Sequence, residues 1–289
     1  MPIRIMLDPG HAGSYYNASP VVDGYFESDR MWVLTYKLKR ELEAFGFEVG
    51  LTRTDKNADP ELTARGIKAK GYDLFISMHS NAAASEEPNA PWMIHFRDDT
   101  KVAIDEKSEA VARVLGPVIS EVMAVSAPYY YTKGVDFDRD GNGCYDDEYY
   151  GVLFGAKSVE VPGIIIEHSF HTNRRAAEWL MKDENLDRLA KAEAKALANH
   201  YGMEEKGMTE SEKKAVEALE KNVKTLEAKL KEVTKRFDKV EECPSYGRKV
   251  VRKLIDAGIL KGKDGGRLDL SEDAIRMLVY LDRAGVFNK

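Results

Sequence analysis

The chain runs to 289 residues, 43% hydrophobic and 9% aromatic, which at roughly 100–200 residues per domain provides core for two units. Its net charge of −6 is uneven: residues 1–203 carry 23 Lys+Arg against 32 Asp+Glu, and residues 204–289 carry 20 against 17, so neither half has the strongly basic balance of a nucleic-acid binder. Cys144 and Cys243 are too few for a disulfide framework, and no run approaches about 18 apolar residues, so neither a signal peptide nor a membrane span is expected.

In chain order, Ile3 to Asp8 reads as a short buried strand that runs into the turn residues Pro9 and Gly10, leaving His11 at its carboxyl end. Ser28 is placed to cap a helix whose apolar residues Met31, Leu34, Leu38, Leu42 and Phe45 recur at helical spacing until Gly46 stops it. Glu27 stands at the entrance of that helix. A strand from Phe47 to Arg53, a helix from about Pro60 capped by Asp59, and a strand from Asp73 to His79 complete a βαβαβ pattern. The predicted fold class is therefore α/β, a mostly parallel twisted sheet flanked by helices.

Trp92 to Phe96 reads as another strand, Ile104 to Met123 as a helix, and Gly163 to Glu167 as a last apolar strand followed by a helix that Asn173 caps. His11, His79 and Glu167 all fall at strand ends. In open α/β sheets, sites gather at the carboxyl ends of the strands, so residues far apart in sequence can converge there. Two histidines with one glutamate are a recurring catalytic zinc set that leaves a position for water, and His11, Glu27 and His79 supply it.

After Tyr201 the charged, aperiodic MEEKGMTESEKK marks a boundary. The chain thus divides into a first domain at 1–203, a linker at 204–214, a coiled-coil helix at 215–241 and a small helical module at 242–289. Val216, Leu219, Val223, Leu226, Leu230, Val233, Phe237 and Val240 alternate spacings of three and four, the seam of a coiled coil. Pro244 ends that helix, and two further helices surround the glycine-rich turn from Lys261 to Gly266. The seam predicts a homo-oligomer, with one helix packed back on the first domain as the alternative.

Six segments occur in a fixed order: LDPGH at 7–11, Glu27 before an amphipathic helix, LTRT at 51–54, Leu62 with Arg65, DLFISMHSNA at 73–82 and GIIIEHSFHTN at 163–173. Together they resemble the zinc-dependent N-acetylmuramoyl-L-alanine amidase family of autolysins, sporulation hydrolases and phage endolysins, over residues 1 to about 203. The resemblance implies one zinc ion held by His11, Glu27 and His79, Glu167 as the catalytic base, and Asn81 in contact with a peptidoglycan substrate. The sequence departs from the family between His11 and Glu27, where AGSYYNASPVVDGYFE replaces a short glycine-rich link. His168 and His171 flank the base, and a structural role is expected for them, as for His95 and His200.

Residues 136–148, DFDRDGNGCYDDE, match the start of a calcium loop through Asp136, Asp138 and Asp140 ahead of Gly141, with Asp147 where a bidentate Glu belongs and Glu148 one place late. Calcium is thus a second candidate metal, against a solvated acidic loop. Tyr246 to Phe287 resembles the small C-terminal modules of clostridial-type phage lysins, which implies wall binding; a dimerisation cap is the alternative. Glu204 and Glu205 permit a ribosome-binding sequence before Met208, so a 208–289 fragment made by internal initiation is a further expected partner. The functional expectation is a phage endolysin, made in the host cytoplasm and released by a holin-type pore, that cuts the N-acetylmuramic acid–L-alanine amide. A zinc peptidase on the stem peptide and a non-catalytic wall-binding scaffold are the alternatives.

Overall fold

The computed structural model describes residues 2–96, 102–141, 143, 147–204, 210–263 and 267–287. It contains two compact units, Met1–Lys206 and Gly207–Lys289.

The first unit is built on six strands, β1 (Arg4–Pro9), β2 (Glu48–Leu51), β3 (Leu74–Asn81), β4 (Trp92–His95), β5 (Tyr129–Tyr131) and β6 (Gly163–Phe170), in the spatial order β2-β1-β3-β6-β4-β5. Neighbouring strands are parallel except for β4 against β6. Among the described residues six helices flank them: α1 (Glu27–Ala44), α2 (Leu62–Ile67), α3 (Val102–Met123), α4 (Gly151–Ser158), α5 (Arg174–Leu180) and α6 (Asp183–Tyr201).

Side chains alternate across the strands, so each strand feeds two cores. Ile5, Leu7, Ile76, Met78, Ile164 and Ile166 pack with α1, α3 and α6, while Met6, Phe75, Ile94 and Ile165 pack with α4. Met31, Leu34, Leu38 and Leu42 of α1 are wholly buried, each worth about 1.5–3 kcal/mol of transfer free energy. The predicted α/β class and its parallel sheet are what the chain adopts.

Several boundaries differ from those read in the sequence. Ser28 does not cap α1: Phe26 occupies the cap position without a side-chain bond, Glu27 is the first helical residue, and Ser28 Oγ instead accepts from the Tyr16 amide at 3.1 Å. Asp59 does not cap α2; Glu61 does, accepting from the Ala64 amide, and Asp59 binds Arg65 at 2.7 Å. β6 extends three residues past Glu167, and the helix that follows is two, α5 and α6. Asn173 caps α5 as expected, accepting from the Ala176 amide at 3.0 Å.

The second unit holds α7 (Glu210–Val233), a two-stranded ladder of β7 (Arg236–Phe237) and β8 (Leu270–Ser271), a short turn at Val240–Glu242, α8 (Ser245–Asp256) and α9 (Glu272–Arg283). The expected helix over 215–241 is corrected at both ends. It begins at Glu210, inside the expected linker, and stops at Val233 rather than at Pro244. Phe237 leaves the seam because it is buried with Cys243, Val251 and Ile275 in the module's own core, with Val240 packed against them. Val216, Leu219, Val223, Leu226 and Leu230 remain as an apolar stripe, 42–64% exposed. Met208 and part of the Lys261 to Gly266 turn lie outside the described residues.

Candidate metal centre and active site

His11 lies two residues beyond the end of β1, with a φ of 52° in the left-handed region, which costs a residue bearing a Cβ about 1–2 kcal/mol. The turn that imposes it depends on glycine, since a Cβ on Gly10 would stand 2.5 Å from the Met78 carbonyl oxygen and 2.6 Å from His79 Cε1. Arg53 ties the turn down by donating to the carbonyls of Pro9 (3.1 Å), Gly10 (3.4 Å) and His11.

Glu27 reaches the same place from the first turn of α1, where a carboxylate is favoured by the helix dipole. Its Oε2 lies 3.2 Å from His11 Nε2, and its Oε1 lies 3.0 Å from His79 Nδ1 and accepts from the Ser80 amide at 3.0 Å. Burial alone would raise this carboxyl group, but the hydrogen bonds of His11 and His79 outweigh it and hold Glu27 well below the usual carboxylate range. In return Glu27 lifts His79 to about 9 against the opposing effect of burial.

The donor set fits a zinc ion. Ligand atoms of His11, Glu27 and His79 all lie within 4.8 Å of one another, and tetrahedral ligands at zinc distances of about 2.0–2.2 Å stand roughly 3.4 Å apart. His79 is braced behind: its Nε2 is 3.1 Å from Ser77 Oγ, which donates to the wholly buried Asp8 at 2.7 Å. Such outer partners fix the orientation of a ligating imidazole.

Glu167 sits directly across the β3–β6 ladder from His79. Its Oε2 is buried and makes no hydrogen bond. Burial, reinforced by the charge of Glu27, pushes its carboxyl up to about 7, the range suited to a general base at neutral pH. A cavity of about 290 Å³ lined by His11, Asn17, Glu27, His79, Asn81, Glu167 and His171 opens over this group. A second, of about 200 Å³, lies beyond His11 and His79 and is lined by Asp8, Tyr16, Asp59 and Arg65. The family model described as N-acetylmuramoyl-L-alanine amidase matches residues 5–199.

The chain belongs to the N-acetylmuramoyl-L-alanine amidase family. Its catalytic-domain fold is that of solved amidases. An N-acetylmuramoyl-L-alanine amidase from Clostridium difficile 630 superposes with a TM-score of 0.56 at 19% identity, covering 70% of this chain and 97% of that one. The catalytic domain of CwlV from Bacillus (Paenibacillus) polymyxa var. colistinus gives 0.55 at 18% identity, over 70% and 99%. Cwp6 from Clostridium difficile gives 0.58 at 20%, but the match covers 69% of this chain and only 29% of Cwp6. At these identities the likeness is one of fold. Comparison with the curated proteins gives no match.

Within this amidase domain, His11, Glu27, His79, Asn81 and Glu167 are brought together, and beside them stand Asn17 and Ser80, which sequence reading did not single out. Asn17 donates to Glu27 Oε2 at 2.9 Å and lies 3.0 Å from His11 Nε2; it comes from the segment that departs from the family. Ser80 links His171 to the buried Tyr25 hydroxyl, with His171 Nδ1 3.0 Å and Tyr25 OH 2.7 Å from Ser80 Oγ. His171 itself is 3.9 Å from Glu27 Oε2. His168 points away from the cavity, its Nδ1 2.9 Å from the His79 carbonyl and its Nε2 2.9 Å from Glu193 of α6, with both side chains wholly buried.

The acidic loop brings carboxylates of Asp138, Asp140 and Asp147 within 4.8 Å, without Asp136. Asp138 accepts from the amides of Gly141 (2.7 Å) and Gly143 (3.0 Å), and the buried Asp147 accepts from those of Arg139 and Asp140. Part of the loop lies outside the described residues.

Proposed function

We propose that the chain is a zinc-dependent hydrolase of peptidoglycan that cleaves the amide between N-acetylmuramic acid and L-alanine. The observation that carries this reading is the buried, unbonded Oε2 of Glu167 directly across the sheet from His79 and its partners His11 and Glu27. When bound, zinc supplies Lewis-acid polarisation of the carbonyl and a more acidic water. Glu167 takes the proton of the attacking water and returns it to the departing amine of L-alanine. Glu27 stays ionised between the two imidazoles. Asn81, which lines the cavity, holds the substrate, and the two cavities on either side of His11 and His79 receive the two sides of the bond.

Digestion of purified walls with and without a chelator, followed by identification of new termini, tests this. Free muramic acid lactyl carboxyls and L-alanine amino groups, lost on chelation and regained with zinc, are the expected result. New termini inside the stem peptide would make the protein a peptidase, and no cleavage would leave it a scaffold.

The wider role we propose is that of a phage endolysin whose second unit multiplies and directs the catalytic one. The exposed stripe of α7 supports self-association, because five apolar side chains at a/d spacing facing water are stable only when paired. The 208–289 fragment would join through the same stripe and add binding valency, and the α8–α9 module would carry wall affinity. Co-expression with a holin-type pore is expected to lyse the host, whereas the chain alone in the cytoplasm is not. Calcium at Asp138, Asp140 and Asp147 is a separate proposal, tested by whether calcium raises Tm in chelator-treated protein.

A further inference from the structure

The sheet continues the catalytic row beyond the base. Trp92 on β4 lies directly opposite Glu167 on β6, and Tyr129 on β5 lies directly opposite Trp92. Directly opposed residues of neighbouring strands point to the same face, so His79, Glu167, Trp92 and Tyr129 form one row across four strands. At about 4.8 Å per strand, Tyr129 stands roughly 10 Å from the base.

One and two layers further along the strands the same face is closed. Ile165, Ile94 and Phe75 are at most 5% exposed, packed with Val152, Leu153 and Ala156 of α4. The row itself is open: Glu167 and Trp92 are half-buried and Tyr129 is 52% exposed. The aromatic rings are held in place by one another. Trp92 lies 4.7 Å from Tyr129, 5.7 Å from Tyr131 and 5.8 Å from Phe170 between ring centroids. Rigid, open aromatic rings continuous with a reacting centre are the lining of a ligand site.

We propose that Trp92 and Tyr129 form a subsite for a pyranose ring of the glycan strand. This rests on the amidase reading, in which the scissile carbonyl is attached through a lactyl group to a sugar. A pyranose offers a C–H face that packs on aromatic rings while its hydroxyl and acetamido groups stay in water. The opposite side of the metal donors is lined by Asp8, Asp59 and Arg65, whose charges match a peptide rather than a sugar. With the carbonyl at Glu167 and His79, the sugar falls over Trp92 and the stem peptide runs toward Arg65.

The test is calorimetric titration of the full chain with a peptide-free tetrasaccharide of alternating N-acetylglucosamine and N-acetylmuramic acid, which has no bond for the enzyme to cut. Saturable binding is expected, weakened roughly tenfold by Trp92→Ala and by Tyr129→Ala and largely restored in Tyr129→Phe. With a soluble disaccharide–peptide the same variants should raise KM by a similar factor and leave kcat within about twofold. Tyr129→Ala, on an exposed edge strand, decides the matter if Trp92→Ala does not fold. Absence of tetrasaccharide binding by the wild type, or binding that survives both substitutions, overturns the subsite while leaving the amidase reading intact. Termini inside the stem peptide overturn the amidase reading itself.

Discussion

Two carboxylates share the centre and their surroundings drive them apart, Glu27 down through its two imidazole partners and Glu167 up to about 7 through burial. Such a split is what the proposed roles require, an ionised anchor and a proton acceptor. Glu167→Gln is expected to lower kcat by about 10²–10⁴ while bound zinc, measured by atomic emission, stays at one per chain; loss of the metal would make Glu167 a ligand instead. A group whose folded pKa is raised adds stability below its unfolded value, about 4.3, and that stability is lost as pH rises through about 7. The metal-free Glu167→Gln variant should therefore melt higher than wild type above pH 7, with the gap closing toward pH 4. Glu193 offers a second probe: Glu193→Leu leaves His168 Nε2 without its hydrogen-bond partner in a wholly buried site and is expected to lower stability by about 1–3 kcal/mol in urea titrations. At this scale the sequence disclosed His11, His79 and Glu167 because each ends an apolar run, and Glu27 because an amphipathic helix follows it. Asn17 and Ser80 stayed hidden. Asn17 enters the site through a left-handed φ of 53°, and Ser80 through the irregular register between His79 and Asn81; neither leaves a periodic trace.

Among elements, α2 and α4 meet backbone to backbone through two glycines. A Cβ on Gly66 would lie 2.0 Å from the Val152 carbonyl oxygen, and one on Gly155 would lie 2.1 Å from that of Thr63. No rotamer change relieves contacts with main chain, so the helices would have to separate. Gly155→Ala is expected to destabilise by about 1–3 kcal/mol, read from the urea midpoint, and Gly66→Ala similarly. Because α2 carries Arg65, whose guanidinium reaches Asp59 and lies 3.8 Å from Asp8, the same variants should raise KM. α4 was not legible in the sequence, since eight residues offer barely two turns of periodicity and its glycines argue for a loop. β5 was missed because Tyr129, Tyr130 and Tyr131 show no alternation of polar and apolar residues. The long elements were read correctly in type. α7 was misjudged in extent because Phe237 and Val240 keep heptad spacing while serving another core.

For the whole molecule, the boundary expected near residue 204 rests on a change from periodic to charged sequence, and the compact units divide after Lys206. The apolar stripe of α7 makes the state of assembly testable. Sedimentation equilibrium of the full chain should give a mass above that of one chain, and Leu226→Lys, which sets a charge in the middle of the stripe, should return it to one; a single-chain mass for the wild type would discard self-association. Within the first unit, the strand made last does not go to the edge. β6 is the final strand of the sheet in sequence, yet it lies inside, between β3 and β4. A nascent chain that has already presented His11, Glu27 and His79 to solvent therefore holds two half-sheets with no ladder between them, and it lacks Glu167. Maturation waits for the ribosome to deliver Gly163–Phe170, and long-range pairing of this kind is slow to form. Products terminated before Gly163 lack both the central ladder and Glu167 and are expected to be inert.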